Sequence, residues 1–198
     1  MTRTALVMAL LLWTVTGSAV NSVAAGGKLP GGWLAAGDNP ADYDMGVDPT
    51  VAHGGKASGY IKSRVSGPKG FGTLMQTFKA DEYRGKRVRM SGYVKAETVE
   101  DWAGLWMRVD GPEGKMLGFD NMQNRPIRGT TDWKKYDIVV DVPAASLGIA
   151  FGLLLAGQGQ AWVDDIQFGV VGKDVATTNP EETTKESPRQ PQNLRFED

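Results

Sequence analysis

The chain has no cysteine and a single histidine, His53, and these two shortages exclude much chemistry at once. Without a thiol there is no disulfide, no Cys-ligated zinc or iron-sulfur site and no cysteine nucleophile. One histidine argues against a multi-His metal centre and against a Ser-His-Asp triad. There is no excess of charge of either sign, since 22 Lys and Arg face 23 Asp and Glu. A net charge of −1 removes the electrostatic basis for non-specific nucleic-acid binding, so no nucleic-acid partner is expected. Long apolar runs are absent except near the start. What is present is an ordinary globular composition over 198 residues, 41% hydrophobic and 23% charged.

The exceptional run is residues 5–16 (ALVMALLLWTVT), preceded by Arg3 and followed by small residues up to Ala25. It is too short to cross a hydrocarbon core of about 30 Å as a helix. A positive start, a short apolar stretch and small residues Val23 and Ala25 together predict a signal peptide over residues 1–25, cleaved after Ala25. The mature protein is then expected to be secreted or periplasmic, with no stable membrane insertion. At the other end, residues 173–198 carry three prolines, four basic and six acidic residues and few apolar ones. Burial there cannot repay the ordering entropy, which predicts a disordered tail. Residues 26–172 remain as the folded domain.

Within that domain apolar and polar residues alternate with period two, and Gly, Pro, Asn and Asp punctuate the runs. The clearest strand is 86–96, where Val88, Met90 and Val94 alternate with Arg87, Arg89, Ser91, Tyr93 and Lys95. Further strands are expected at 33–36, 43–47, 57–65, 71–78, 104–109, 116–120, 136–142, 149–155 and 161–171. No segment sustains a helical stripe, although 80–84 has the length of one turn. Ten short strands joined by tight turns predict an all-β fold, a two-sheet antiparallel β-sandwich of the jelly-roll kind. Its expected core includes Val88, Met90, Val94, Leu105, Met107, Ile138, Val140, Ile149, Phe151, Leu153, Trp162, Ile166 and Phe168.

The same alternation identifies the side chains that leave the core. In residues 104–110, Trp106, Arg108 and Asp110 share the polar side, and Trp102 falls on the same parity. Tyr93 occupies the polar side of 86–96, while Asp120, Asn121 and Arg125 follow in the next strand and loop. If these strands adjoin, Asp120 comes beside Arg108 or Trp106. Aromatic rings next to Asp, Asn and Arg suit a sugar, whose C–H face packs on a ring while its hydroxyls take bidentate hydrogen bonds. The expected ligand surface is therefore Trp106, Arg108 and Asp120 at the centre, with Tyr93, Trp102, Asn121 and Arg125 at the edges. Plainer readings stand beside this one. Trp106 and Trp102 also suit rim or core packing, Arg108 suits an ion pair with Asp110 or Asp120, Gln76 suits a satisfied core amide, and His53 suits a surface loop.

Several segments carry a family resemblance: Trp33, HGGKASGY at 53–60, GKRVRMSGYVKA at 85–96, Asp132-Trp133, and AWVDDIQF at 161–168. Over residues 33–171 the chain resembles the galactose-binding-like jelly roll of carbohydrate-binding modules. GLWMRVDG at 104–111 and GFDNMQNRP at 118–126 more specifically resemble a group of bacterial domains of unsettled activity. These occur alone or beside helix-turn-helix regulator domains. The resemblance implies a carbohydrate or small polar ligand and, as in many modules of this fold, a structural calcium near the sheet ends. Asp164 or Asp165 in the closing strand matches that position, with Asp48 approaching it from the N-terminal strands. No catalytic residue is assigned.

The leading expectation is thus an exported, non-catalytic module that binds a carbohydrate or glycan. An envelope protein-interaction or adhesion module is the alternative. An enzyme of this fold would be a polysaccharide lyase or glycosidase. It would use Asp110 with Asp120 as an acid/base pair, or Tyr93, Arg108, Asn121 and Arg125 around a uronate.

Overall fold

A computed structural model describes residues 28–179, so the expected signal peptide and residues 180–198 of the expected tail lie outside the described residues. The described residues form nine strands: β1 (Leu34–Gly37), β2 (Tyr43–Asp48), β3 (Ser58–Ser63), β4 (Phe71–Lys79), β5 (Lys86–Asp110), β6 (Met116–Asp120), β7 (Ile127–Val142), β8 (Gly148–Ala156) and β9 (Gln160–Val171). All pairings are antiparallel. The sandwich is as the alternation foretells. Among the described residues no helix is long and apolar enough to cross a membrane.

Two of the expected strands, 86–96 and 104–109, are halves of one 25-residue strand. The N-terminal half of β5 pairs with β9 and β7, and its C-terminal half pairs with β8 and β6. A first sheet therefore runs β2-β3-β9-β5-β7 and a second runs β1-β4-β8-β5-β6, with β5 passing from one layer to the other. The crossing occurs where its register against β7 shifts, between Val94 and Ala103, and where Thr98 takes a positive φ of 50°. A bulge adds twist and bends the strand, which lets one chain segment serve both layers.

Inward-facing residues of the two sheets form the core. Ile61, Val88, Met90, Val94 and Ile138 from the first sheet meet Leu74, Leu105, Met107, Ile149, Leu153 and Leu155 from the second. At one end Phe151 gathers Trp33, Phe78 and Phe168 in edge-to-face contacts with centroids 4.9–5.9 Å apart. Ile166 and Phe168 pack on this core while remaining partly exposed. Trp162 departs from its expected place. It is buried, but it stands opposite Tyr60 and Lys95 on the outward side of the first sheet, because its neighbours Ala161 and Val163 take the inward positions.

Residues 173–179, which composition assigns to the tail, are tied to the domain. Arg87 Nη1 donates to the carbonyls of Lys173 and Val175, at 3.0 and 2.5 Å, and Lys173 Nζ meets Asp141 Oδ1 at 2.6 Å. Thr178 N donates to Val139 O at 3.0 Å, and Val139 N donates back to Thr178 Oγ1 at 2.8 Å. Hydrogen bonds to the sheet edge, rather than apolar burial, hold this segment, and composition does not reveal them.

Candidate functional site

The sandwich has two outward faces, and β5 contributes to both. On the second sheet, alternate positions place Phe71, Thr73 and Met75 of β4, Ala150, Gly152, Leu154 and Ala156 of β8, Trp102, Trp106 and Arg108 of β5 and Phe119 of β6 on one surface. Trp106, Ala150 and Leu154 form a buried apolar floor, with partly exposed Phe71, Met75, Trp102, Phe119 and Ala156 packed around it. This is an aromatic platform with little polar chemistry at its centre.

Trp106 is only 8% exposed. It stands opposite Gly152 of β8, and its indole N–H reaches beyond that strand to donate to Thr73 Oγ1 at 2.7 Å. The Thr73 hydroxyl in turn donates to Leu153 O at 2.9 Å. The polar handle of Trp106 is therefore spent inside the protein, and the residue acts as floor. Trp102 is the more accessible ring on the same strand. Between the two, Gly104 leaves room for the loop 121–126; a Cβ there would come within 3.0 Å of Met122 Cβ and 3.2 Å of Asn121 O. That close approach fixes one wall of the platform.

The expected central trio is divided. Trp106 and Arg108 do share a face, and Arg108 makes a two-pronged pair with Asp110, at 2.8 and 3.1 Å. Asp120 does not join them. β6 is the neighbour of β5, as required, but its register sets Phe119 opposite Arg108 and Asp120 opposite Met107, a core residue. Phe119 thus takes the outward position, and Asp120 is 1% exposed. Its carboxylate is occupied by Arg125, whose Nη2 lies 2.7 Å from Oδ2 and whose Nη1 lies 3.1 Å from Oδ1. The Met122 amide and the Thr178 hydroxyl also donate to it. Arg125 further donates to Asp137 O at 3.1 Å, so this pair staples the loop to β7 and the C-terminal segment. Asn121 is nearly buried, and its Oδ1 accepts the Gln123 amide at 3.1 Å in a local turn.

Tyr93 lies on the other face of the molecule. The ring of His53 stacks on it at 3.6 Å and 14°, with Trp133 edge-on to His53 at 5.8 Å. His53 Nδ1 meets Asp165 Oδ2 at 2.7 Å, and the amides of His53 and Gly54 both donate to Asp164 Oδ2. Asp165 adopts a positive φ of 52° at a register shift between β9 and β5, which aims its carboxylate at the histidine. Sequence reading missed this cluster. The available signal was the His53-Gly54-Gly55 turn together with the outward parity of Tyr93, but a contact between residues 112 positions apart has no local trace.

The three carboxylates matched to a calcium are at this end of the first sheet, yet each is already engaged. Asp48 accepts the Thr50 hydroxyl at 2.6 Å and the Trp162 indole N–H at 2.9 Å. The Thr50 hydroxyl, with help from that indole, holds the Asp48 carboxyl below the usual range. Asp164 is satisfied by backbone amides. Among the described residues no group of three or more His, Asp or Glu side chains is arranged to hold a metal ion.

The acid/base geometry of a glycosidase is likewise not assembled. Asp110 is paired with Arg108 on the outward face, and Asp120 is turned inward under Arg125. The lyase set fares similarly, with Tyr93 and Arg108 on opposite outward faces.

Among solved structures the chain is similar to the CBM22-1 xylan-binding domain of Paenibacillus barcinonensis Xyn10C, with a TM-score of 0.51 and 19% identity over 72% of this chain and 88% of that one. It is also similar to the C-terminal family 22 carbohydrate-binding module of Clostridium thermocellum Xyn10B, with a TM-score of 0.51 and 13% identity over 74% and 89% of the two chains. The fold is that of these modules. A further similarity, with a TM-score of 0.54 and 12% identity, is to the enzymatically active domain of bacteriophage CBA120 tailspike protein 4, covering 71% of this chain and 20% of that one. In sequence the chain is 48% identical over 168 residues to YbfP of Bacillus subtilis (strain 168), described as an uncharacterized HTH-type transcriptional regulator. That match covers 84% of this chain but 57% of the relative, so the chain spans little more than half of that protein's length. No family model matches the chain.

Proposed function

We propose that this domain is a carbohydrate-binding module whose ligand surface is the outward face of the second sheet. The observation that carries the reading is the set of partly exposed Phe71, Met75, Trp102 and Phe119 around the buried Trp106 and Leu154 floor. Apolar side chains in contact across four strands of a sheet form a platform of the size and flatness that a pyranose C–H face requires. The Arg108–Asp110 pair at its margin supplies donors and acceptors for hydroxyl groups. The fold shared with xylan-binding modules supports the ligand class, and a plant-type polysaccharide such as xylan is the first ligand to try.

Binding without chemistry follows from the way the carboxylates are used. Asp110 and Asp120 are each committed to an arginine, and they do not flank a common cleft. The 48% identity to a longer protein described as a transcription regulator favours a second use of the same surface, as the sensing domain of a regulator. The apolar run at residues 5–16 favours export of the present chain as a signal peptide would direct it, a setting different from that of a DNA-binding regulator.

The test is retention of the protein by a panel of soluble polysaccharides that includes xylan, with new reducing ends and unsaturated products scored in parallel. Retention without products supports the proposal; product formation makes the domain an enzyme, and neither result moves the ligand to a protein. Intact mass of the exported protein checks the placement, since it should begin near Gly26.

A further inference from the structure

At the bend where β5 changes layers, the two outward faces of the molecule run into one another. The turn between β8 and β9, residues 157–159, makes the same crossing beside it, since Trp102 stands opposite Ala156 on one side of the bend and Glu97 opposite Gln160 on the other. Between these points the Glu100 amide donates to Gln158 O at 3.0 Å. Glu100 and Gln158 therefore lie two residues beyond Trp102 and Ala156 on the same parity, about 7 Å along the strands from the end of the aromatic platform. There the surface opens into a pocket of about 250 Å³, lined in part by Lys62, Glu97, Thr98, Glu100, Gln158 and Gln160.

Two features make this more than a surface hollow. The first is charge left uncancelled. Lys62, Glu97 and Glu100 bring both signs to one pocket, yet they form no ion pair among the described residues. The second is backbone held against its preference. Thr98 has a φ of 50°, which a β-branched residue adopts only where the surrounding structure enforces it. Thr98 N donates to Thr130 Oγ1 at 3.1 Å, and Gly159 packs so closely on the strand that a Cβ there would come within 2.7 Å of Val99 Cα and 2.8 Å of Thr98 O. Ser63 N in turn donates to Gly159 O at 3.0 Å. The pocket is thus built on fixed backbone.

Carboxylates accept hydrogen bonds, an ammonium donates them and amides do both, which is the mixture that sugar hydroxyls satisfy. Two carboxylates against one ammonium disfavour an acidic sugar. Past the pocket, β5 and the turn carry the surface round to the first sheet, so a chain lying straight along the platform reaches its end here. We propose that this pocket binds the terminal residue of a neutral glycan whose adjoining residues lie on the aromatic platform, with Glu100 and Gln158 meeting a hydroxyl that only a chain end leaves free. The proposal rests on the platform being the ligand surface, and adds to it a preference for chain ends over chain interiors.

Competition between xylohexaose and long-chain soluble xylan for protein held on immobilised xylan tests this. At equal sugar mass the hexasaccharide offers many more ends, and it should compete about tenfold better, the size of effect that one or two hydrogen bonds to a charged group give. Glu100→Ala combined with Gln158→Ala removes side chains that the sheet pairing does not use, and should bring the two competitors level while xylan still retains the protein through the platform. Trp102→Ala should weaken both competitors alike. Reducing the hexasaccharide to its alditol tells the ends apart: loss of its advantage assigns the pocket to the reducing end, and an unchanged advantage assigns it to the other. Equal competition in the unaltered protein, or an undiminished advantage in the double variant, would overturn the pocket and leave the platform standing. No retention by xylan or by any other polysaccharide would remove the platform and the pocket together.

Discussion

The two outward faces of this sandwich draw on the same strand and are finished in opposite ways. On the first sheet, β5 presents Arg87, Arg89, Tyr93 and Lys95, and each is met by something else in the chain: Asp141, Asp137, His53 and Asp132 respectively. On the second sheet it presents Trp102 and Trp106, and these are met by the buried Leu154 and Ala150 and by Phe71 and Met75, which stay partly exposed. Charge is cancelled on one face and apolar surface is left over on the other. A side chain whose partner is within the fold has little left to offer a ligand, whereas an uncancelled apolar platform is the feature that marks a binding surface. Aromatic content alone would not have separated the two, since His53, Tyr93 and Trp133 also cluster on the first face.

The strongest way to break this comparison is at its most buried ring. Trp106→Ala removes a nearly buried indole and its hydrogen bond to Thr73, and should cost about 3 kcal/mol of unfolding free energy measured by denaturant titration. A loss of only about a few tenths of a kcal/mol, the size of an ordinary surface substitution, would mean that Trp106 is not the floor of the platform. Next comes Trp102→Ala, which should weaken polysaccharide binding by about 2 kcal/mol, roughly 30-fold, while shifting the thermal midpoint little. His53→Ala should act the other way round. It deletes the ring stacked on Tyr93 and the contact with Asp165, so the loop 49–57 loosens at a cost of about 1 kcal/mol, with binding unaltered.

The smallest expected effect concerns the charges of the first face. Arg87 holds the Asp141 carboxyl down at about 2, below its unfolded value of about 4. Because the folded pKa is the lower one, the stabilisation is fully present above about pH 4 and is lost as the pH falls through about 2. Partial exposure of Asp141 limits the loss to on the order of 1 kcal/mol. Thermal midpoints measured from pH 5 to pH 2 should show the drop, and Arg87→Leu should flatten it.

The strand pattern, the turns and most of the core were legible because period-two alternation is a local property, and Val88, Met90 and Val94 display it without interruption. The membership of Trp106 and Arg108 in one face was legible for the same reason. Parity within a strand does not disclose the register between strands. A shift of one residue in β6 would have brought Asp120 to Arg108, and the actual register brings Phe119 there. Parity likewise places Tyr93 outward without saying outward from which sheet, because β5 changes layer between Tyr93 and Trp102. The inward pairing of Asp120 with Arg125 depends on five residues of loop and on Thr178, and the latch of His53 depends on Asp165; both are contacts that only the tertiary fold creates.

Direct comparison of the two faces needs one pair of variants, Trp102→Ala and Tyr93→Ala, titrated with whichever soluble polysaccharide the unaltered protein retains. The aromatic platform on the second sheet as the ligand surface predicts that Trp102→Ala binds at least tenfold more weakly and that Tyr93→Ala binds as the unaltered protein does. Loss of binding in Tyr93→Ala with full binding in Trp102→Ala would contradict it and move the site to the His53 face.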